Sequence, residues 1–403
     1  MHLYSGTPWW LVRNGLEAGA DLRTGAMPRT RCDVLVVGAG ITGALVADAL
    51  VADGHDVVVV DRREPGTGST AASTALLQYE IDTELLDLAR HIGDARAAQA
   101  YEASAAAVES CIAIAAGLGD SVEIARTTSL YVATRRSEAR RLQREGAARR
   151  AAGLVADWLD AAEVRTRWGI VCHGGLHCAP AATVDALRLT RALLRRAQDG
   201  GARIVARHGI EQVVDDGTRI QAMLDDGTAI ESRWLIWATG YELPATLPTG
   251  LVALHSTYAF ITTPGADLGA WAGGPLVWEA SRPYTYMRTT TDGRMIAGGA
   301  DLAFREPKAR DALLPRRIAQ VGKRVGQLMP DITWQREYEW AGTFGVTKDG
   351  LPCIGAATPG GRVLHAMGYG GNGITFSVIA ARVLRDQLAG RTSADAPLYA
   401  LDR

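Results

Sequence analysis

Three glycines and one acid raise the first chemical question in this chain. Gly38, Gly40 and Gly43 lie in the run DVLVVGAGITG, and Asp61 closes the apolar run HDVVVVD. At this spacing the first glycine permits a tight turn, the second lets backbone approach a pyrophosphate, and the third lets a helix pack close to a strand. The pyrophosphate would rest where Ile41, Thr42 and Gly43 open the helix, because free N–H groups and the helix dipole favour negative charge there. Asp61 would accept hydrogen bonds from adenosine ribose hydroxyls, and its charge repels a 2′-phosphate. NADP is therefore disfavoured, although Arg62 and Arg63 follow. Those arginines either line the adenine edge or form an ordinary solvated basic pair.

The next residues, GTGSTAAS, separate the two remaining dinucleotides. NAD has no evident need of them. The longer FAD can use the hydroxyls of Ser69, Thr70 and Ser73, and N–H groups around Ala72, along its phosphates and ribityl chain. The residues favour FAD.

A second cluster lies in YTYMRTTTDGRMIAGG. Period two puts Tyr284, Tyr286 and Arg288 on one face of a strand. If Asp292 and Gly293 form a two-residue hairpin turn, Arg288 lies opposite Ala297 and Tyr286 opposite Gly299, leaving an open groove floor. Arg288 would then clamp a substrate carboxylate at two points, with a tyrosine hydroxyl beside it. The plainer alternative is a surface hairpin whose arginine faces water. Tyr369, before GGNG, would cap flavin or substrate, or fill core. Gln78 and Glu80 follow the hydroxyl run. Glu80 suits a cationic amine, but a salt bridge is its better account. Trp340 is an apolar wall or core, and His255 and His365 read as satisfied histidines. In CHGGLHC (172–178) one heptapeptide cannot readily wrap a tetrahedral zinc ion, so no metal is expected.

These residues need elements to hold them. DVLVVG, a helix ending at Gly54 and HDVVVVD form a βαβ start, implying a parallel sheet. Long helices are expected over 84–117 and 136–152, separated by the β-like TTSLYVAT. VDALRLTRALLRRAQDG reads as a helix with Leu187, Thr190, Leu194 and Ala197 on one face, and WLIWATG as a further buried strand. Residues 250–340 read as hairpins, and GYGGNGITFSVIAARVLRDQL as a closing loop and helix. The expected class is α/β, with a Rossmann-type FAD-binding domain and an α+β substrate lobe of mixed sheet.

With 403 residues the chain can build a cleft between lobes, and its 43 basic and 44 acidic side chains nominate neither nucleic acid nor an anionic membrane as partner. The five cysteines, without a CxxC pair, suit a reducing, cytoplasmic setting. The start carries an arginine and a glutamate before any long apolar run, so neither a signal peptide nor a spanning helix is expected. Pro8, Trp9 and Trp10 form an arm that packs back on the chain's own surface, or else meets an oligomer partner or membrane.

DVLVVGAGITG, STAAS, the ATG at 238–240, YMRTTTDGRMIAGG, WAGTFGVTKDGLPCIG and GYGGNGITFS, in this order, resemble the D-amino acid oxidase (DAO) superfamily of flavoproteins. The resemblance implies one FAD and oxidation of a C–N bond by hydride transfer, giving an imine that hydrolyses. It implies that Ile210 meets adenine through its backbone and that Thr239 and Gly240 approach the pyrophosphate. It also implies that Gly371, Asn372, Gly373, Ile374 and Thr375 lie at the flavin's pyrimidine end. The FAD-binding domain is expected over 28–90, 180–248 and 343–403, the substrate domain over 91–179 and 249–342, and the arm over 1–27. Relatives with covalent flavin carry a histidine in the STAAS region or a cysteine just before TKDG. Neither stands here, and Cys353 is displaced, so non-covalent FAD is expected. Some sarcosine-type members keep an oxygen-activating lysine where alignment places Ile296, which leaves O2 or another electron acceptor open. The substrate is expected to be an amino acid or amine. The alternatives are a larger secondary amine or polyamine conjugate, and a flavin-bearing relay or scaffold subunit in a complex.

Overall fold

The computed structural model describes residues 2–15, 22–25, 30–358 and 360–403. The expected boundary at residue 27 lies outside the described residues. Two sheets organise the chain. In chain order the strands are β1 (Tyr4–Gly6), β2 (Thr30–Val37), β3 (Val57–Asp61), β4 (Leu76–Gln78), β5 (Ala125–Val132), β6 (Val155–Leu159), β7 (Gly175–Thr183), β8 (Arg203–Ala206) and β9 (Ile210–Asp215). They continue with β10 (Ile220–Leu224), β11 (Ala229–Trp237), β12 (Ala253–Thr262), β13 (Leu276–Glu279), β14 (Thr285–Thr289), β15 (Met295–Leu302), β16 (Arg336–Val346), β17 (Cys353–Ala356) and β18 (Val363–Met367).

The first sheet runs β17-β18-β11-β2-β3-β8, with β9 and β10 joined through β11. Its central pairs β18/β11, β11/β2, β2/β3 and β3/β8 are parallel. Helices α1 (Trp9–Asn14), α2 (Ile41–Ala52), α3 (Leu85–Ile92), α4 (Asp94–Ala116), α5 (Arg136–Ala151), α6 (Ala161–Trp168), α7 (Ala186–Asp199), α8 (Pro307–Leu328), α9 (Gly373–Leu388) and α10 (Ala396–Tyr399) complete the architecture. Val34, Val36, Val57 and Val59 pack in one core with residues of α2, α7 and α9. Their alternates Leu35, Val37, Val58 and Val60 pack against Ile220, Ala222 and Leu224 of β10. Both faces are covered, which is why these strands are unbroken apolar runs rather than alternating ones.

The second sheet runs β1-β16-β12-β15-β14-β13-β5-β7-β4, with β6 on β7. One face buries Tyr258, Phe260, Met287, Met295 and Ala297 against Ile318, Val321, Val325 and Leu328 of α8. The opposite face carries Ala259, Ile261, Trp278 and Ile296 into the core shared with the nucleotide half.

The expected helix over 84–117 is two helices, since Gly93 at φ 88 turns the chain between α3 and α4. Residues 250–340 are not all hairpins. Helix α8 fills part of them, started by Glu306, whose carboxylate accepts the N–H groups of Lys308 and Ala309, and by Pro307 at the first helical position. Strand β4, expected in the FAD-binding domain, lies in the second sheet, and the expected limits at 179/180 and 342/343 fall inside β7 and β16. The tryptophan arm packs on the chain itself: β1 pairs with β16, Trp9 stacks on Tyr338, and Trp10 is buried. No helix among the described residues is long and apolar enough to cross a membrane.

Candidate active site

A cavity of about 900 Å³ runs between the two sheets, from Asp61 and Arg62 at one end to Trp278, Tyr284 and Asp301 at the other. At the first end Gly38 adopts φ 116, and a Cβ there would meet the Ala238 carbonyl oxygen at 2.4 Å. A Cβ at Gly43 would lie 1.7 Å from the Gly38 oxygen, so the third glycine is fixed by close packing of α2 on its own turn. Gly40 cannot cap α2 with a side chain. Thr70 reaches across instead, its Oγ1 accepting the Ile41 N–H at 3.0 Å. The following N–H groups have no acceptor within the helix, as at any helix start.

Asp61 accepts the Ala39 N–H at 2.7 Å and the Arg63 N–H at 2.8 Å. Burial pushes its carboxyl up, while those two N–H groups pull it down. Arg62 and Arg63 both pair with Glu242, the Arg63 contact being 2.7 Å. The sequence reading missed Glu242, which lies 179 residues from Arg63 in the chain. The pair still lines the cavity.

The hydroxyl run is held from outside. Trp340 Nε1 donates to the Ala72 carbonyl at 2.8 Å, Trp10 Nε1 to that of Ser73 at 2.6 Å, and Arg288 Nε to that of Thr74 at 2.8 Å. Three successive carbonyls are thus tied to the second sheet and the arm. Ser73 Oγ accepts the Ala75 N–H at 3.1 Å, and Ser69 Oγ is buried without a partner among the described residues.

Arg288 is where the structure departs most from expectation. It does not line the cavity. Its guanidinium donates to the Thr74 and Val184 carbonyls, the latter at 3.2 Å, and lies 5.4 Å from the Trp10 ring centroid. Burial brings its pKa down to about 10. The register also differs: Arg288 pairs with Ile296 and Tyr286 with Gly298. The turn holds three residues, with Thr290 N–H donating to Arg294 O at 2.9 Å and Gly293 at φ 73, so every pair moves by one. Gly298 offers no open floor, since a Cβ there would meet Tyr286 Oη at 2.5 Å. Tyr284 and Tyr286 do face the cavity, and burial raises both phenols.

At the closing loop, Tyr369, Gly371, Asn372, Gly373 and Ile374 line the cavity. Thr375 does not, its hydroxyl donating to the Gln78 carbonyl at 3.3 Å. Tyr369 donates to the Ala366 carbonyl. The Gly371 N–H is taken by Asp82 at 2.7 Å and that of Asn372 by the Tyr369 carbonyl at 3.1 Å, so neither is open to a ligand. At the start of α9 no side chain caps the first N–H groups. Ile210, Thr239 and Gly240 line the nucleotide end, as do Gly38, Gly40, Ile41, Thr42, Asp61, Ser69, Thr70, Ala72 and Ser73.

Among the described residues Glu80 forms no salt bridge; it accepts a hydrogen bond from Ser129 in the core. Gln78 lines the cavity. His365 shares a hydrogen bond of 3.0 Å with the Thr246 hydroxyl, and His255 meets Phe344 edge-on. In 172–178, His177 hydrogen-bonds Thr128 at 2.9 Å, while the next residue, Cys178, points into the core beside Arg149. Ile296 is fully buried and is not part of the cavity wall. The sequence reading did not find Asp82, Thr257, Trp278, Asp301 or Arg305, which line the second end.

Residues 33–387 match the family described as DAO, FAD dependent oxidoreductase. The chain belongs to that family. It is an FAD-dependent oxidoreductase by descent. A D-amino acid dehydrogenase of Bradyrhizobium diazoefficiens is 28% identical over 225 residues, 54% of this chain and 51% of that protein, so the match spans about half the relative's length. A D-amino acid dehydrogenase of Rhizobium rhizogenes is 26% identical, with 89% of this chain and 96% of that protein covered. Glycine oxidase from Geobacillus kaustophilus superposes with a TM-score of 0.76 at 20% identity, covering 93% of this chain and 99% of that one. L-Proline dehydrogenase from P. horikoshii gives 0.77 at 17%, covering 93% and 98%. At these identities the structural likenesses establish the shared DAO fold.

FAD fits the residues present. The glycine turn admits no side chain, the N–H groups that follow Ile41 at the start of α2 have no acceptor within the helix, and the Ser69 hydroxyl, without a partner among the described residues, lies in the cavity wall.

Proposed function

We propose that the protein oxidises the C–N bond of an amino acid or amine, giving an imine that water converts to a carbonyl compound and ammonia or a smaller amine. Bound FAD supplies the acceptor for the hydride that leaves the substrate carbon as the nitrogen lone pair forms the C=N bond. Gly38, Gly40 and the start of α2 would hold its pyrophosphate, Asp61 its ribose, and the start of α9 its pyrimidine end. The chain's own work is to bind the substrate, keep water away and hold its C–H bond in line.

The single observation that carries this reading is the continuity of the cavity. One space joins the nucleotide residues to an end walled by Trp278, Tyr284 and Tyr286, with the exposed Arg305 at its edge. Arg305 takes over the carboxylate role expected of Arg288. Among the described residues that line that end of the wall, Arg305 carries the cation, whereas Arg62 and Arg63 stand at the nucleotide end on Glu242.

FAD is held without a covalent bond in this reading. Cys353 is buried in a satellite core beside Arg403, away from the cavity wall. Acid precipitation should leave a white pellet and a yellow supernatant; a yellow pellet would refute it.

The deciding experiment follows flavin absorbance anaerobically while D- and L-amino acids, N-methyl amino acids and polyamine derivatives are added singly. Bleaching by one group confirms amine oxidation and names its substrate class. A flavin that dithionite reduces but no amine bleaches refutes it and favours a relay subunit.

A further inference from the structure

The second end of the cavity holds an acid that neither the nucleotide site nor the core uses. Strand β15 alternates regularly at first: Met295 and Ala297 face α8, while Ile296 and Gly298 face the cavity side, Gly298 lying under the Tyr286 ring. Continued alternation would turn Ala300 toward the cavity and Asp301 toward α8. The structure reverses both. Tyr258 pairs with Gly299 but Ser256 with Leu302, so Ala300 and Asp301 together stand opposite the single residue Thr257. This is a β-bulge, with Ala300 at φ 56. Ala300 joins the α8 core and Asp301 lines the cavity. Bulges re-aim side chains in this way, and a non-glycine residue at positive φ carries a cost that needs a return.

The re-aimed carboxylate is poorly satisfied. Its Oδ1 is shielded from solvent and has no hydrogen-bond partner among the described residues. Burial pushes its pKa up to about 7, with the charge of Asp82 adding to the rise, while the Thr257 hydroxyl and Arg282 oppose it. The charged and titratable groups around it are Asp82 after β4, Arg282 before β14, Tyr284 and Tyr286 on β14, Tyr258 on β12, and Arg305 beyond β15. Arg282 is occupied, donating to the Asp82 main-chain oxygen at 2.7 Å and lying 4.6 Å from the Tyr284 ring centroid. A buried carboxylate with an open acceptor atom in a ligand cavity calls for a cationic donor.

We propose that Asp301 receives the substrate's ammonium nitrogen and takes the proton that nitrogen must lose before the C–H bond can break. This rests on the amine-oxidising reading above and assigns the group that selects and activates the amine. One N–H bond breaks and one O–H bond forms at Asp301; the nitrogen keeps the electron pair that later makes the C=N bond. The proton then leaves Asp301 to water. Arg305, four residues on, is placed for a carboxylate on the same substrate, and without such a carboxylate the acids Asp82 and Asp301 favour a plain cationic amine.

The test uses oxidised holoenzyme, titrated with trimethylammonium chloride or with sodium acetate while the flavin spectrum is followed. Wild type should bind the cation with an affinity that rises with pH through about 7. Asp301→Asn should weaken cation binding at least tenfold and leave acetate binding unchanged or tighter. Asp301→Glu, which keeps the charge, should retain most of the cation affinity. Cation affinity equal in Asp301→Asn and wild type, or flat from pH 5 to 9 in wild type, overturns the proposal. If Asp301→Asn does not fold, the wild-type pH profile and Asp301→Glu still decide. A protein that binds the cation through Asp301 but is bleached by no amine would refute the enzymatic reading while leaving the cation site standing. Bleaching by amines with cation binding indifferent to Asp301 would do the reverse.

Discussion

Arg288 lies away from the cavity that its neighbours suggest for it, while Asp301, which the sequence does not single out, lines that cavity. Arginine beside two tyrosines promises a carboxylate clamp, yet its guanidinium is spent on the Thr74 and Val184 carbonyls. Replacing Arg288 by methionine would strand both carbonyls in the interior. We expect a loss of about 2–4 kcal/mol in urea unfolding of the holoprotein, with the apparent substrate constant of folded enzyme nearly unchanged. A strong rise in that constant at unchanged stability would restore the clamp. For Asp301 the pH dependence has a definite sign. Its folded pKa, about 7, lies above the ordinary carboxyl value of 3.8. Between those values the native state binds more protons than the unfolded chain, so this acid's contribution is full below about pH 4 and is lost as pH rises through 7. Asp301→Asn should therefore melt above wild type at pH 8.5, with the gap closing toward pH 4. Equal melting temperatures at both pH values would contradict that.

Elements decided which residues the sequence could reveal. The glycine turn and Asp61 were legible because β2, α2 and β3 are consecutive and set by local pattern. Tyr284 and Tyr286 were legible from strand alternation. Asp301 was not, since nothing in AGGADL announces a bulge, and a bulge inverts the alternation that such a reading relies on. Arg288 was misread through a turn one residue longer than assumed, and α8 was missed although Glu306 and Pro307 signal its start. The β14/β15 pairing makes one prediction of its own. Gly298→Ala would place a Cβ 2.5 Å from Tyr286 Oη and must displace that ring. Anaerobic flavin reduction should slow about tenfold, because small misplacements in a reactive complex are costly, with flavin content unchanged. An unaltered rate would place Tyr286 outside the substrate contact.

At the scale of the whole molecule, the flavin cavity belongs to both sheets and to the arm. Trp10 is the smallest unit of that dependence, joining the arm to the Ser73 carbonyl while its ring lies under Arg288. Trp10→Ala should weaken FAD retention at least tenfold in equilibrium dialysis, with far-ultraviolet circular dichroism unchanged; full retention would make the arm a mere surface cover.

The three tethered carbonyls of Ala72, Ser73 and Thr74 also set an order of events during synthesis. Their donors are Trp340, Trp10 and Arg288, so the loop gains one anchor at one end of translation and the other two near the other end. A ribosome-bound chain that has emerged only through β11 already owns the glycine turn and Asp61, yet its hydroxyl run still lacks two of three anchors. Cofactor capture therefore belongs to the last third of the nascent chain, and a truncated polypeptide should emerge colourless however well β2, β3, β8 and β11 have paired.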